Sequence, residues 1–166
     1  MDRVYQRLAL AVQALRYGDE KPWAERSYGR LGEQEILEIK RFFPMDKFFI
    51  FGHARSGTTL LARLVRLHPE VYCNWQAHFF TRSPLLSGMA SEKRFEAWLG
   101  RRSNRWNRGK DLTPVALRAM SDYILEREAR KESAKVVGDK SPNVLLNGDA
   151  VDEMHTFYPD GRLIYI

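Results

Sequence analysis

The chain has 166 residues, which corresponds to one domain with a single hydrophobic core. Its net charge of +6 favours anionic partners such as phosphate, sulfate, nucleic acid or a membrane surface, without choosing among them. A single cysteine, Cys73, excludes an internal disulfide and fits a reducing compartment, so we expect a cytoplasmic protein. No run approaches the roughly 18 apolar residues of a spanning helix, so we predict no transmembrane segment.

Residues 1–44 are predicted to form an N-terminal helical segment. The stretch Met1–Gly18 has a short apolar centre that Gln13 interrupts, and no small-residue cleavage site follows it. These features favour an amphipathic helix over a signal peptide. A second helix is expected over Glu33–Phe43, with Pro44 ending it.

From residue 45 the pattern becomes an alternation of strands and helices. The first strand is Phe48–Phe51, four consecutive large apolar residues, as expected for a strand buried on both faces of a parallel sheet. The remaining predicted elements are a helix at Leu60–Leu67, strands at Val71–Cys73 and Lys135–Gly138, a helix opening at Thr113–Pro114, a helix at Val151–Tyr158 and a strand at Arg162–Ile166. We therefore predict an α/β domain over residues 45–166, with a mainly parallel sheet flanked by helices. Because no turn or polar tail follows the last strand, we expect the domain to be incomplete at its C-terminal end.

The helix that opens at Thr113–Pro114 has the clearest start signal in the chain. Thr113 is a suitable cap and Pro114 fits the first turn. Helical spacing predicts a buried stripe of Ala116, Met120, Tyr123 and Ile124, and an outward face of Arg118, Asp122 and Glu126.

The segment most informative about function lies between the first strand and the following helix. It reads Gly52-His53-Ala54-Arg55-Ser56-Gly57-Thr58-Thr59. Successive backbone N–H groups in such a loop converge on an anion, and the helix N-terminus adds partial positive charge. The two glycines have the spacing of the nucleoside-triphosphate loop, but Thr58 stands where that loop has its phosphate-binding lysine. A loop with an internal cation, Arg55, and two threonines instead suits a single 5′-phosphate that carries a substituent.

This loop resembles the 5′-phosphosulfate loop of sulfotransferases that use 3′-phosphoadenosine 5′-phosphosulfate (PAPS), especially the bacterial and tyrosylprotein types. Three further segments strengthen the resemblance: His68-Pro69-Glu70-Val71, Gly138-Asp139-Lys140-Ser141-Pro142 and Tyr158–Ile166. The resemblance implies a P-loop-like α/β fold and transfer of a sulfuryl group from PAPS to a hydroxyl or amine, with no metal. The expected acceptor is a small molecule, a glycan or a peptide. The family also implies a 3′-phosphate site beyond Ile166.

The resemblance assigns roles to particular residues. Residues 52–59 would bind the phosphosulfate, and Arg55 would neutralise charge that develops as the S–O bond breaks. Lys140 would approach the sulfuryl group or the leaving oxygen. Where the tyrosylprotein branch has a catalytic glutamate, this chain has Gln76, so His78 is the candidate general base. His53 is a weaker rival for that role.

A cluster of cations and tryptophans allows a different interpretation. Its members are Trp98, Arg101, Arg102, Arg105, Trp106, Arg108 and Lys110. Cations with aromatics bind single-stranded nucleic acid, and they also line clefts for acidic acceptors, but a solvated basic loop is favoured over both.

Two other functional classes remain open at this point. One is a nucleotide kinase or hydrolase with a degenerate Walker A loop, which the absence of lysine at position 58 disfavours. The other is a basic nucleic-acid-binding module, which is disfavoured because a buried strand feeds the phosphate loop.

Overall fold

The computed structural model describes residues 29–81, 85–101, 103, 105–142 and 149–166. The amphipathic helix predicted at Met1–Gly18 lies outside this part. The strands are β1 (Asp46–Phe51), β2 (Val71–Trp75), β3 (Val136–Lys140) and β4 (Arg162–Tyr165). The helices are α1 (Glu33–Lys40), α2 (Thr58–Val65), α3 (Leu85–Ala90), α4 (Lys93–Phe95, continued by a π-helical turn at Glu96–Gly100), α5 (Thr113–Ala129, continued by a 3₁₀ turn at Arg130–Glu132) and α6 (Asp149–Phe157).

The four described strands form one sheet in the order β2-β3-β1-β4, and every pair is parallel. This confirms the predicted α/β class. In the register of the sheet, Lys140 at the end of β3 lies beside Ile50 of β1 and Trp75 of β2. The carboxyl ends of these three strands therefore meet at one edge, where open parallel sheets bind their ligands.

Side chains of β1 alternate between two apolar layers. Phe48 and Ile50 pack with Ala62 of α2 on one face, while Phe49 and Phe51 enter the larger core on the face that α5 and α6 cover. Both faces of β1 are thus buried, as its unbroken apolar run predicts.

The predicted faces of helix α5 are wrong in part, although Met120 of the predicted buried stripe does pack against the core. The side chains of Arg118, Asp122 and Glu126 are fully buried, whereas Tyr123 and Ile124 are 57% and 45% exposed. The cap was also assigned wrongly, because Leu112 occupies the N-cap position and the Thr113 N–H donates to Asp111 Oδ1 at 3.0 Å.

A buried ionic network explains the reversed face. Lys47 of β1 donates to Glu126 Oε1 at 2.7 Å and lies 3.6 Å from Asp122 Oδ1. Arg118 binds Asp122 at 2.9 Å and Asp160, just before β4, also at 2.9 Å. Buried charges are retained when they are paired and hydrogen-bonded, so the charged side chains of α5 turn toward the sheet.

Among the described helices, none combines the length and apolar character needed to cross a membrane.

Candidate active site

The loop after β1 has a backbone that few other residues could adopt. A Cβ at Gly52 would lie 2.3 Å from the carbonyl oxygen of Ile166 and 2.9 Å from Ser56 Oγ, so only glycine fits there. Arg55 and Gly57 have φ values of 73° and 94°, both in the left-handed region. The Ser56 N–H donates to the His53 carbonyl at 3.1 Å and closes the turn. The loop is therefore a tight, defined structure.

Two features of this loop fit an anionic ligand. Helix α2 begins at Thr58 with Gly57 as its N-cap and no side-chain cap, so its first N–H groups point out of the helix without carbonyl partners. The hydroxyl of Ser56 is buried, and no described group hydrogen-bonds to it. Buried polar atoms nearly always have hydrogen-bond partners in native proteins. The oxygens of a bound phosphate or sulfate would accept hydrogen bonds from the Ser56 hydroxyl and from the first N–H groups of α2.

The predicted cofactor-binding side chains differ in exposure. Thr58 is buried, whereas His53, Arg55 and Thr59 are exposed, and His53 Nδ1 lies 2.7 Å from the carbonyl oxygen of its neighbour Ala54. Arg55 makes no ion pair with any described residue, so none of them neutralises its guanidinium.

Lys140 closes β3 at the same edge of the sheet. The residue is only 3% exposed, and its ammonium lies 5.0 Å from the ring centroid of Trp75, a cation–π contact. Within the described part of the chain it forms no ion pair. A buried ammonium is costly without an anionic partner, which fits a negatively charged ligand beside it.

His78 lies in a strained turn that follows β2. Gln76 and His78 have φ values of 55° and 51°, a conformation that costs free energy for residues with a Cβ and persists only when neighbours hold it. Three consecutive N–H groups of the turn are bound by the end of β3. Gln76 donates to the Lys140 carbonyl at 2.8 Å, Ala77 to Asp139 Oδ1 at 3.0 Å and His78 to Ser141 Oγ at 2.9 Å.

The groups that hold this turn are buried. The Ser141 hydroxyl donates to Asp139 Oδ2, and burial raises the pKa of the Asp139 carboxyl above its ordinary value of 3.8, although its hydrogen bonds with Ser141 and the Ala77 N–H oppose that shift. The ring of His78 is fixed from the other side, where its Nδ1 lies 2.8 Å from Thr81 Oγ1. These supporting roles of Thr81, Asp139 and Ser141 are not predictable from the sequence, where the motif around Lys140 is the one signal near them.

The sheet thus brings the predicted residues to one edge. The loop that contains Arg55 leaves β1, Lys140 ends β3, and the turn that contains His78 leaves β2. Cys73 is poorly suited to act as a nucleophile. Burial raises the pKa of its thiol to about 12 and keeps it protonated near neutral pH. No group of three or more metal-ligating side chains occurs among the described residues.

A parallel sheet in which a central strand leads through a glycine-containing loop into a helix N-terminus is typical of α/β proteins that bind phosphate-like or sulfate-like groups. A comparison with protein families finds that residues 47–166 match the model of the sulfotransferase family. The chain belongs to the sulfotransferase family, as the resemblance of its loop predicts, and this membership indicates sulfotransferase activity in general. No curated protein matches the chain significantly.

Proposed function

We propose that the protein transfers a sulfuryl group from PAPS to a hydroxyl or amine acceptor, with residues 52–59 binding the 5′-phosphosulfate. The observation that carries the proposal is the loop at the carboxyl end of β1, where the Ser56 hydroxyl is buried without a described partner beside an uncapped helix N-terminus. Both groups are hydrogen-bond donors that an anion satisfies.

In the proposed reaction PAPS supplies an activated sulfuryl group, which gains a bond to the acceptor atom as its bond to the bridging phosphate oxygen breaks. Arg55 stabilises the negative charge that develops on the 5′-phosphate as the S–O bond breaks. Lys140, at the carboxyl end of β3, neutralises negative charge on the sulfuryl group or the leaving oxygen. His78 takes the proton that the acceptor loses. A base acting through Nε2 requires that Nδ1 carry a proton, which Thr81 Oγ1 accepts at 2.8 Å.

A nucleotide kinase or hydrolase is less well supported. Thr58 occupies the position of the lysine that such enzymes use for phosphate binding. Asp139, the acidic residue placed after the apolar part of β3, already accepts hydrogen bonds from Ala77 and Ser141. Holding Mg²⁺ there would disrupt the turn that contains His78.

Two further parts of the proposal rest on the sequence. The division into a segment of residues 1–44 and an α/β domain of residues 45–166 is supported by the family match, which starts at residue 47. A cytoplasmic location is supported by the lone cysteine.

Calorimetric titration tests the donor. We expect adenosine 3′,5′-bisphosphate to bind, and ATP with Mg²⁺ and a short oligonucleotide to bind more weakly.

Arg55→Asn, which keeps a residue tolerant of the left-handed conformation, should lower kcat/KM for sulfuryl transfer by about 100-fold, as removal of one electrostatic donor does. Arg63→Gln removes the same charge from the exposed face of α2 and should leave activity near wild type. Tighter binding of ATP with Mg²⁺, or equal effects of the two variants, would contradict the proposal.

A further inference from the structure

The connection between β2 and α5 presents two exposed tryptophans in contact with each other. The side chains of Trp98 and Trp106 are 61% and 54% exposed, and their ring centroids lie 6.1 Å apart with the planes tilted by 36°. Phe95 packs edge-on against Trp98 at 6.2 Å. Large aromatic groups that cluster outside the core mark a binding surface.

Four cations lie in the same segment of the chain as these rings. Arg101, Arg105, Arg108 and Lys110 are all exposed, and none forms an ion pair with a described residue. The carboxylate of Asp111 is already bound to the Thr113 N–H. We call the two tryptophans and these four cations the Trp–Arg surface. It is positively charged as well as aromatic.

A buried asparagine gives this loop a defined shape. The Asn107 side chain is 3% exposed; it donates to the carbonyls of Leu99 at 3.1 Å and Arg101 at 3.3 Å, and it accepts from the Gly109 N–H at 3.1 Å. The two ends of the loop are joined as well, because the Leu112 N–H donates to the Leu99 carbonyl at 3.1 Å. A buried network of this kind makes the loop rigid. A solvated basic loop needs no such rigidity, whereas a surface that presents cations and rings together needs it.

The chemistry of the Trp–Arg surface restricts its ligand. Exposed guanidinium groups that no described carboxylate neutralises favour an anionic ligand. At 6.1 Å the two indoles are in direct contact, so a flat nucleic-acid base cannot enter between them, and they form one tilted platform. The negative face of an indole attracts the C–H groups of a sugar ring. An acidic peptide would satisfy the cations but gives no reason for two exposed indoles.

The geometry points to an anionic carbohydrate chain as the ligand of the Trp–Arg surface, and to that chain as the acceptor of sulfuryl transfer; the second part rests on the proposed function. A carbohydrate carries hydroxyl groups along its whole length, so a chain bound at this surface offers hydroxyl groups that can accept the sulfuryl group.

The test is binding of an oligogalacturonate, a chain of carboxylated sugars, measured by calorimetric titration at low and moderate salt. Its fully methyl-esterified form has the same rings without charge and serves as the ligand control. We expect the acid to bind and the ester to bind at least about tenfold more weakly, because charge-assisted hydrogen bonds are lost. Binding of the acid should weaken as salt rises.

Variants locate the binding to the surface. Trp106→Ala should weaken oligogalacturonate binding at least about fivefold, and Arg105→Gln with Lys110→Gln should weaken it roughly tenfold. Tyr123→Ala and Arg127→Gln remove an exposed aromatic and an exposed cation from α5 and should leave binding unchanged. Equal losses in these controls, equal binding of the ester, or tighter binding of polyglutamate or a single-stranded oligonucleotide would overturn the proposal.

A parallel titration with adenosine 3′,5′-bisphosphate separates the two proposals. We expect the Trp–Arg variants to keep wild-type affinity for the bisphosphate. If the protein binds the bisphosphate but not oligogalacturonate, the carbohydrate proposal fails and the proposed function stands. If it binds oligogalacturonate but not the bisphosphate, the proposed function fails and the carbohydrate site stands without its acceptor role.

Discussion

At the scale of single residues, the most informative side chain is His78. Its backbone is held in a left-handed conformation by the end of β3, and its ring is held by Thr81. A residue that serves only as packing does not need both its backbone and its ring fixed. This double restraint is what a general base requires, because proton transfer depends on the position of the ring as well as on its pKa.

We expect His78→Asn, which tolerates the left-handed backbone, to lower kcat by about 100-fold or more while affinity for adenosine 3′,5′-bisphosphate stays unchanged, since a base acts on the acceptor. Thr81→Val keeps the volume of this buried side chain but removes the acceptor for the Nδ1 proton. It should therefore lower kcat and alter the pH profile of kcat without altering bisphosphate affinity. Thr156→Val, which removes an exposed hydroxyl from α6, is the control. A rate increase from Gln76→Glu together with full activity of His78→Asn would place the base elsewhere.

At the scale of elements, the strand–loop–helix arrangement around residues 52–59 was predictable because its residues are contiguous. The glycine spacing, the cation and the flanking strand and helix can all be seen in one short stretch of sequence. The turn after β2 was not predictable in the same way. Its anchor Asp139 lies 62 residues away from Ala77 along the chain, and no local pattern reports a bond of that separation.

The face of α5 shows a second limit of local patterns. Helical periodicity sorts residues by polarity, so it places Arg118, Asp122 and Glu126 in solvent. The partners that make their burial favourable, Lys47 and Asp160, belong to other elements. Only knowledge of the long-range pairing would have reversed the prediction.

Burial of the Asp139 carboxyl at the end of β3 makes stability depend on pH. Because the pKa of Asp139 is raised by burial, the folded state binds more protons than the unfolded state between 3.8 and the folded pKa, so this group makes stability fall as pH rises through that window. Asp139→Asn removes the titration. We expect the unfolding free energy of the variant, relative to wild type, to improve as pH rises from below 3.8 toward neutrality, as measured by urea denaturation at each pH. Asp152→Asn on the exposed face of α6 is the matched control, and a difference that does not change with pH would contradict this account.

At the scale of the whole molecule, the candidate site and the buried ionic network lie at opposite ends of β1. The carboxyl edge collects Lys140, the loop at residues 52–59 and the turn with His78. The opposite end of β1 carries the ionic network, in which Lys47 lies 3.6 Å from Asp122 and 2.7 Å from Glu126, and Arg118 lies 2.9 Å from Asp122. This network ties β1, α5 and the segment before β4 together, so it fixes the central strand from which the phosphate loop extends.

Lys47 should accordingly be a major determinant of stability. Its side chain is fully buried, donates to Glu126 at 2.7 Å and to the Met45 carbonyl at 2.6 Å, and its loss leaves buried carboxylates with fewer cations. We expect Lys47→Met to lower the unfolding free energy by about 3–5 kcal/mol, the usual effect of breaking a buried ion pair from one side. Lys131→Met breaks an exposed pair with Glu128 and should cost far less, because solvent screens such pairs. In urea denaturation, the double variant Lys47→Met with Glu126→Leu should lose less than the sum of its single variants, because neither leaves the other's charge buried alone. Additive losses, or equal losses at Lys47 and Lys131, would show that the network contributes no more than a surface pair.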